Sequence, residues 1–222
     1  MTRLLSPLIL LSVAAIAHAA PDGKYIFVDL APKANMKRAD NFGSGRDGND
    51  LKSVGKDSRT LAGVNFKLGE SVLQLSSKYL AKQAPAKIDG IKVGNLAVKV
   101  HILHATGYGN VPQDSEAFIA DGTKIAEYTI RYDDGKTAVI PVVYGEDVRD
   151  WWWSDGDKGP SRGKIAWQGD NELAKGFNKR IRLYLTTWDN PHPTKKIASI
   201  DYAKIGDGPA APFCVAITLE AK

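Results

Sequence analysis

Cysteine is almost missing from this chain. Cys214 is the single one, so no intrachain disulfide can form, and neither a Cys-rich zinc site nor a thiol redox pair can be built. It lies in the apolar run Phe213 to Leu219 and reads as a buried, inert thiol. Long hydrophobic runs are also missing beyond the N-terminus: no segment approaches the ~20 apolar residues that a transmembrane helix needs. Long helical periodicity is absent, and only Glu172 to Gly176 and Leu80 to Ala84 suggest short helical turns. No block of five or more like charges occurs. The net charge is +5, but the basic residues are scattered (Lys33, Lys37, Arg38; Lys78, Lys82, Lys87; Lys179, Arg180, Arg182; Lys195, Lys196), which is the pattern of a solvated surface.

The first residues carry the three parts of a secretory leader. Arg3 supplies the positive region, Leu4 to Ile16 an apolar run, and Ala17-His18-Ala19 the small residues of a cleavage site. Cleavage is expected after Ala19, because a cut after Ala20 would place Pro21 next to the scissile bond. The apolar run is too short to span roughly 30 Å of hydrocarbon. The expectation is therefore an exported protein, in the periplasm, at the cell surface or outside the cell. Residues 1–19 would be the leader and residues 20–222 one domain, large enough to bury a core without disulfides. Export makes nucleic acid a poor partner and leaves an acidic polysaccharide compatible with the basic balance.

The rest of the chain has strand periodicity. Val64, Phe66 and Leu68 alternate with Asn65 and Lys67; Leu96, Val98, Val100 and Ile102 alternate with Ala97, Lys99 and His101. Asp133-Asp134-Gly135 separates Ile125–Tyr132 from Thr137–Tyr144, a strong hairpin signal. With Tyr25–Leu30, Ser71–Leu75, Lys164–Gln168, Arg180–Thr187, Lys195–Tyr202 and Phe213–Glu220, about ten strands are expected. Such strands, punctuated by Gly, Pro and Asp, indicate an all-β fold, an antiparallel two-sheet β-sandwich such as a jelly roll. Residues 34–60 and 154–163 read as long loops, where function often resides.

Several motifs lose their chemistry on inspection. Gly43-Ser44-Gly45-Arg46-Asp47-Gly48 has the letters of a dinucleotide fingerprint, but no helix follows to receive a pyrophosphate, so it reads as a flexible polar turn. His101 and His104, three apart on a strand, point to opposite faces and do not share an ion. No serine occupies a nucleophile elbow. Glu146, Asp147 and Asp150 would suit a glycosidase if paired across a cleft, yet carboxylates also crowd ordinary strand ends. Asp155-Gly156-Asp157 is rich in oxygen ligands but lacks the terminal glutamate of an EF-hand. A structural calcium elsewhere stays open, and no other cofactor is expected.

The most informative feature is Trp151-Trp152-Trp153. In an extended segment, Trp152 faces away from its two neighbours, so one side is core and the other is covered by a loop or exposed. Exposed aromatic faces beside carboxylates and amides suit sugars: the ring stacks on the C–H face and the polar groups take the hydroxyls. Trp188, followed by Asp189 and Asn190, has the same chemistry.

The segments Glu127 to Gly135, Ile140-Pro141-Val142 and Tyr144 to Trp152 resemble the galactose-binding-like jelly-roll modules found beside glycoside hydrolases in secreted bacterial proteins. Leu61 to Phe66, His101 to Thr106 and Leu183 to Trp188 through Ile200-Asp201 are also similar, so the likeness spans most of the chain. It implies a β-sandwich with an accessory binding role, without catalytic residues, and with ligand loops at one end of the sandwich. The expected protein is thus a monomeric, non-catalytic module for carbohydrate or a cell-envelope component. Trp152, Trp153 and Trp188 are its expected stacking platforms; Asp150, Asp189, Asn190 and His192 are its hydrogen-bonding partners. A structural or protein-interaction envelope subunit, and a glycosidase using paired carboxylates, are the alternatives.

Overall fold

The computed structural model describes residues 18–19 and 23–221. The expected leader therefore lies outside the described residues, apart from His18–Ala19. The described strands are β1 (His18–Ala19), β2 (Tyr25–Phe27), β3 (Met36–Lys37), β4 (Asp57–Leu61), β5 (Val64–Leu68), β6 (Ser71–Gln74), β7 (Lys87–Asn95), β8 (Lys99–Gly107), β9 (Lys124–Tyr132), β10 (Thr137–Val143), β11 (Trp152–Trp153), β12 (Lys164–Gly169), β13 (Arg180–Asp189), β14 (Ile197–Lys204) and β15 (Ala211–Glu220). One short helix, α1 (Glu172–Gly176), and a 3-10 turn at Lys52–Val54 accompany them. The fold is all-β, and every strand pairing is antiparallel. No described helix is long and apolar enough to cross a membrane.

The larger sheet runs β1-β2-β15-β8-β13-β11, with β12 also on β13, β6 on β15 and β3 on β6. A second sheet runs β10-β9-β14-β7, and β4-β5 form a separate hairpin. The central strands β8 and β15 are buried along almost their whole length and β13 over residues 181–186; burial on both faces is why β15 reads as a continuous apolar run. One face of this sheet meets the four-stranded sheet. There Tyr128 Oη lies 3.4 Å from His104 Nδ1, and Tyr128 stacks on Tyr202 with ring centroids 4.3 Å apart. The other face is covered at β15 by the β4-β5 hairpin, where the Thr218 hydroxyl donates to the Asn65 carbonyl. The interior polar groups of β8 find partners: His104 Nε2 is 2.9 Å from Thr186 Oγ1, and His101, on the opposite face, meets Thr187 and Glu220.

The hairpin expected around Asp133-Asp134-Gly135 is present, with Thr137 opposite Arg131 and Gly135 at a φ of 84°. α1 forms at its expected place because the Asn171 side chain caps it, accepting from the Ala174 N–H. Leu80 to Ala84 forms no helix. Pro85 disfavours helical backbone at Ala84, and the Ala81 N–H is instead taken by the Gly43 carbonyl. Among strands longer than two residues, β4 and β7 escaped the sequence reading. β4 is polar and exposed except at Leu61, and pairs only with β5, across the turn at Ala62 and Gly63. β7 loses its alternation at a bulge near Gly90, whose N–H donates to Asp201 Oδ1.

Candidate ligand-binding site

A cavity of about 260 Å3 opens at one end of the large sheet. It sits where β8 ends at Gly107, β15 begins at Ala211, and residues 150–152 cross between Thr106 and β13. The Trp151 N–H donates to the Thr106 carbonyl, and the Arg182 N–H donates to the Trp151 carbonyl. The tryptophan run is thereby strapped across the strand ends. Trp151 is buried against Phe42 and Phe213, with three ring contacts of 5.3 to 5.6 Å among them. These rings make a rigid apolar base.

Trp152 stands half-buried in the cavity wall. Its indole N–H donates to Asn49 Oδ1 (3.0 Å), which also accepts from Asn171 Nδ2 (3.2 Å). Asn49 Nδ2 donates in turn to the Phe42 carbonyl. The chain from α1 through Asn171 and Asn49 to Trp152 fixes the ring plane while leaving part of a face open. Arg46 stacks on Phe177, whose ring lies 5.7 Å from Trp152.

The loop Gly43 to Gly48 is a wall of this cavity, not a free turn. Gly45 and Gly48 have φ values of 75° and 78°, and a Cβ there would lie 2.8 Å from Ala81 and 2.9 Å from Glu172. Left-handed backbone and close approach both demand glycine. The Leu173 N–H donates to the Gly48 carbonyl, so the loop is tied to α1. Opposite, Tyr108 holds a φ of 67°, unusual for a tyrosine, and its hydroxyl donates to the Tyr79 carbonyl.

Asp150 is the one carboxylate among the lining residues, with 8% of its surface exposed. Burial raises its pKa to about 6, against the pull of the Trp152 and Asn110 backbone N–H groups and of the Arg182 and Lys179 charges. Asn110 itself is held by Asp157 (2.6 Å), which also accepts from the Ser154 N–H. Asp157 is thus engaged as an orienting acceptor. Among the described residues, no three His, Cys, Asp or Glu side chains gather as a metal ion would need.

The seven residues singled out in the sequence do not form one site. Asp150 and Trp152 line the cavity together. Trp153, next to them in sequence, is only 8% exposed and lies under the guanidinium groups of Arg180 and Arg182. Trp188, Asp189, Asn190 and His192 gather at the opposite end of β13. Trp152 pairs with Ile181, and Trp188 is seven residues farther along, about 23 Å at ~3.3 Å per residue. There Asp189 pairs with Lys99, and Asn190 is buried, bonded to the Tyr132 hydroxyl and the Ala97 carbonyl. His192 packs edge-on against Tyr132. Trp188 lines a smaller groove of about 200 Å3 with Ile140, Pro141 and the Asp147–Arg162 pair. Sequence reading missed Asn49, Tyr108, Asn110, Lys179 and the glycine-loop wall. The spacing of three glycines in a polar segment was their only signal.

The chain matches no family model, no curated protein and no solved structure.

Proposed function

We propose that this chain is an exported, non-catalytic carbohydrate-binding module, a two-sheet β-sandwich of the jelly-roll kind, that takes a sugar in the cavity beside Trp152. The observation that carries the reading is the clamped indole of Trp152: a partly open aromatic face, held in orientation by Asn49, in a cavity that also presents amides and one buried carboxylate. The ring supplies stacking, the Asn110 amide has a second N–H to donate beside the one Asp157 takes, and Asp150 accepts from hydroxyls. The volume is close to the lower end of small-ligand pockets, about 300 Å3, which suits one sugar residue or a chain end. A lone carboxylate in the lining favours binding over hydrolysis, since glycoside cleavage uses two. The leader-like N-terminus and the likeness to accessory modules point the same way.

The test is retention on a panel of immobilised polysaccharides by affinity electrophoresis. Trp152→Ala is expected to weaken retention on the positive gel by about tenfold, ~1.4 kcal/mol, with the unfolding midpoint nearly unchanged. Retention unaffected by that substitution, or a blank panel, sinks the reading.

A further inference from the structure

The charges around the cavity are arranged by depth. Asp150 is buried, Lys179 is half-buried and Arg46 is exposed, and all three line the same space. Among the described residues, Lys179 and Arg46 make no ion pair. The acids nearest Lys179 in sequence are already taken: Asp170 and Glu172 both pair with Lys175, at 3.1 and 3.2 Å. Asp47, beside Arg46, accepts from the Asn41 side chain instead. Arg182 adds a buried guanidinium behind Asp150; it donates to the Lys158 carbonyl, and among the described residues its Nε has no partner and no carboxylate lies within ion-pair distance. One carboxylate therefore faces three cations, two of them at the opening.

We infer that the sugar bound in this cavity is anionic, its carboxylate or sulfate held at the opening by Lys179 and Arg46 while its hydroxyls reach Asp150 and the amides below. The inference rests on the carbohydrate-binding reading and adds the ligand's charge to it. The depth order is what makes it work. An anion seated deep would meet Asp150, whereas one at the opening meets cations whose side-chain N–H groups no other described residue uses. An arginine fork and a lysine ammonium are suited to such a group, because charge-assisted hydrogen bonds are about twice as strong as neutral ones.

The experiment compares retention in gels containing a polyuronate, a sulfated galactan and a neutral glucan, at low and at moderate salt. The wild type is set beside Lys179→Gln/Arg46→Gln, and beside Lys33→Gln/Lys164→Gln, which removes the same charge from exposed positions outside the cavity lining. The expected result is retention on the polyuronate or the sulfated polymer about tenfold stronger than on the neutral one. The cavity pair should abolish that preference and the control pair should leave it. Which acidic polymer binds tells carboxylate from sulfate. Equal retention on neutral and acidic gels, or equal losses in the two double variants, overturns the anionic ligand and leaves carbohydrate binding standing. No retention on any gel overturns both.

Discussion

The two ends of β13 carry nearly the same letters and opposite chemistry. At one end Asp150 precedes Trp151-Trp152-Trp153; at the other, Trp188 precedes Asp189 and Asn190. At the Trp188 end the polar groups satisfy one another. Asn190 closes a buried set with Tyr132, Ala97 and His192, and Asp189 is paired with Lys99. At the Trp152 end the polar groups are oriented but not used up. Asn49 holds the indole, backbone N–H groups hold Asp150, and among the described residues Lys179 and Arg46 close no ion pair, the Lys179 charge acting on Asp150 from farther off. A buried polar group that has all its partners stabilises the fold. One held in place with capacity to spare is what a ligand needs.

The largest effect that sharpens this contrast concerns Trp153, the tryptophan beside the cavity that does not belong to it. It is buried beneath two guanidinium groups, and its indole N–H has no partner among the described residues. Trp153→Ala is expected to cost about 3–5 kcal/mol of stability, read as a lowered midpoint in urea. Trp152→Ala, one position away, should cost far less stability and act on ligand retention instead. Equal destabilisation by both would erase the distinction between wall and core.

A second effect compares two buried ionisable groups. His104 is enclosed between the sheets, where burial lowers its pKa to about 4; Asp150, at the cavity, is raised to about 6. The unfolded chain protonates a histidine near 6.5, so His104 makes the fold lose stability as pH falls from about 6.5 to 4. Asp150 has the opposite sign. Its folded pKa lies above the unfolded value, so its favourable contribution is complete below about pH 4 and is lost as pH rises through 6. Each amounts to roughly 3 kcal/mol, and over that window they offset one another. Asp150→Asn removes one side: its stability relative to wild type should grow by about 3 kcal/mol between pH 4 and 6.5, measured by urea titration at each pH. Parallel curves for the two proteins would mean that Asp150 is solvated as in the unfolded chain.

How much of this was readable from the residues differs along the chain. The hairpin at Asp133-Asp134-Gly135, the capped helix after Asn171 and the buried runs of β13 and β15 follow from local rules, since turn chemistry, capping and apolar period are written in adjacent residues. β7 was hidden because its bulge at Gly90 interrupts the alternation, and β4 because an exposed hairpin strand has no apolar period. The cavity was half legible. Trp152 and Asp150 stood out by type, but Asn49 and Tyr108 reach it from segments more than forty residues away, and Lys179 from beyond α1. The glycine loop reads as a turn in sequence because its role depends on Ala81 and Glu172, which only the folded chain brings against it.

The smallest expected effect belongs to Trp188, and it tests the comparison most directly. Its ring is partly buried against the core, in a groove whose hydroxyls and charges already have partners: Thr186 meets His104, Thr187 meets His101, and Arg162 grips Asp147 with two bonds of 2.7 Å. A ligand there would have to break existing bonds to make its own, and the tryptophan alone offers only stacking. Trp188→Ala should therefore cost about 1 kcal/mol of stability and leave retention on every polysaccharide gel where the wild type has it. A folded Trp188→Ala protein that no longer binds would move the ligand site about 23 Å along β13. The satisfied hydrogen bonds around Asn190 would then mark a preformed subsite, and self-satisfaction would lose its value as the sign of a structural corner.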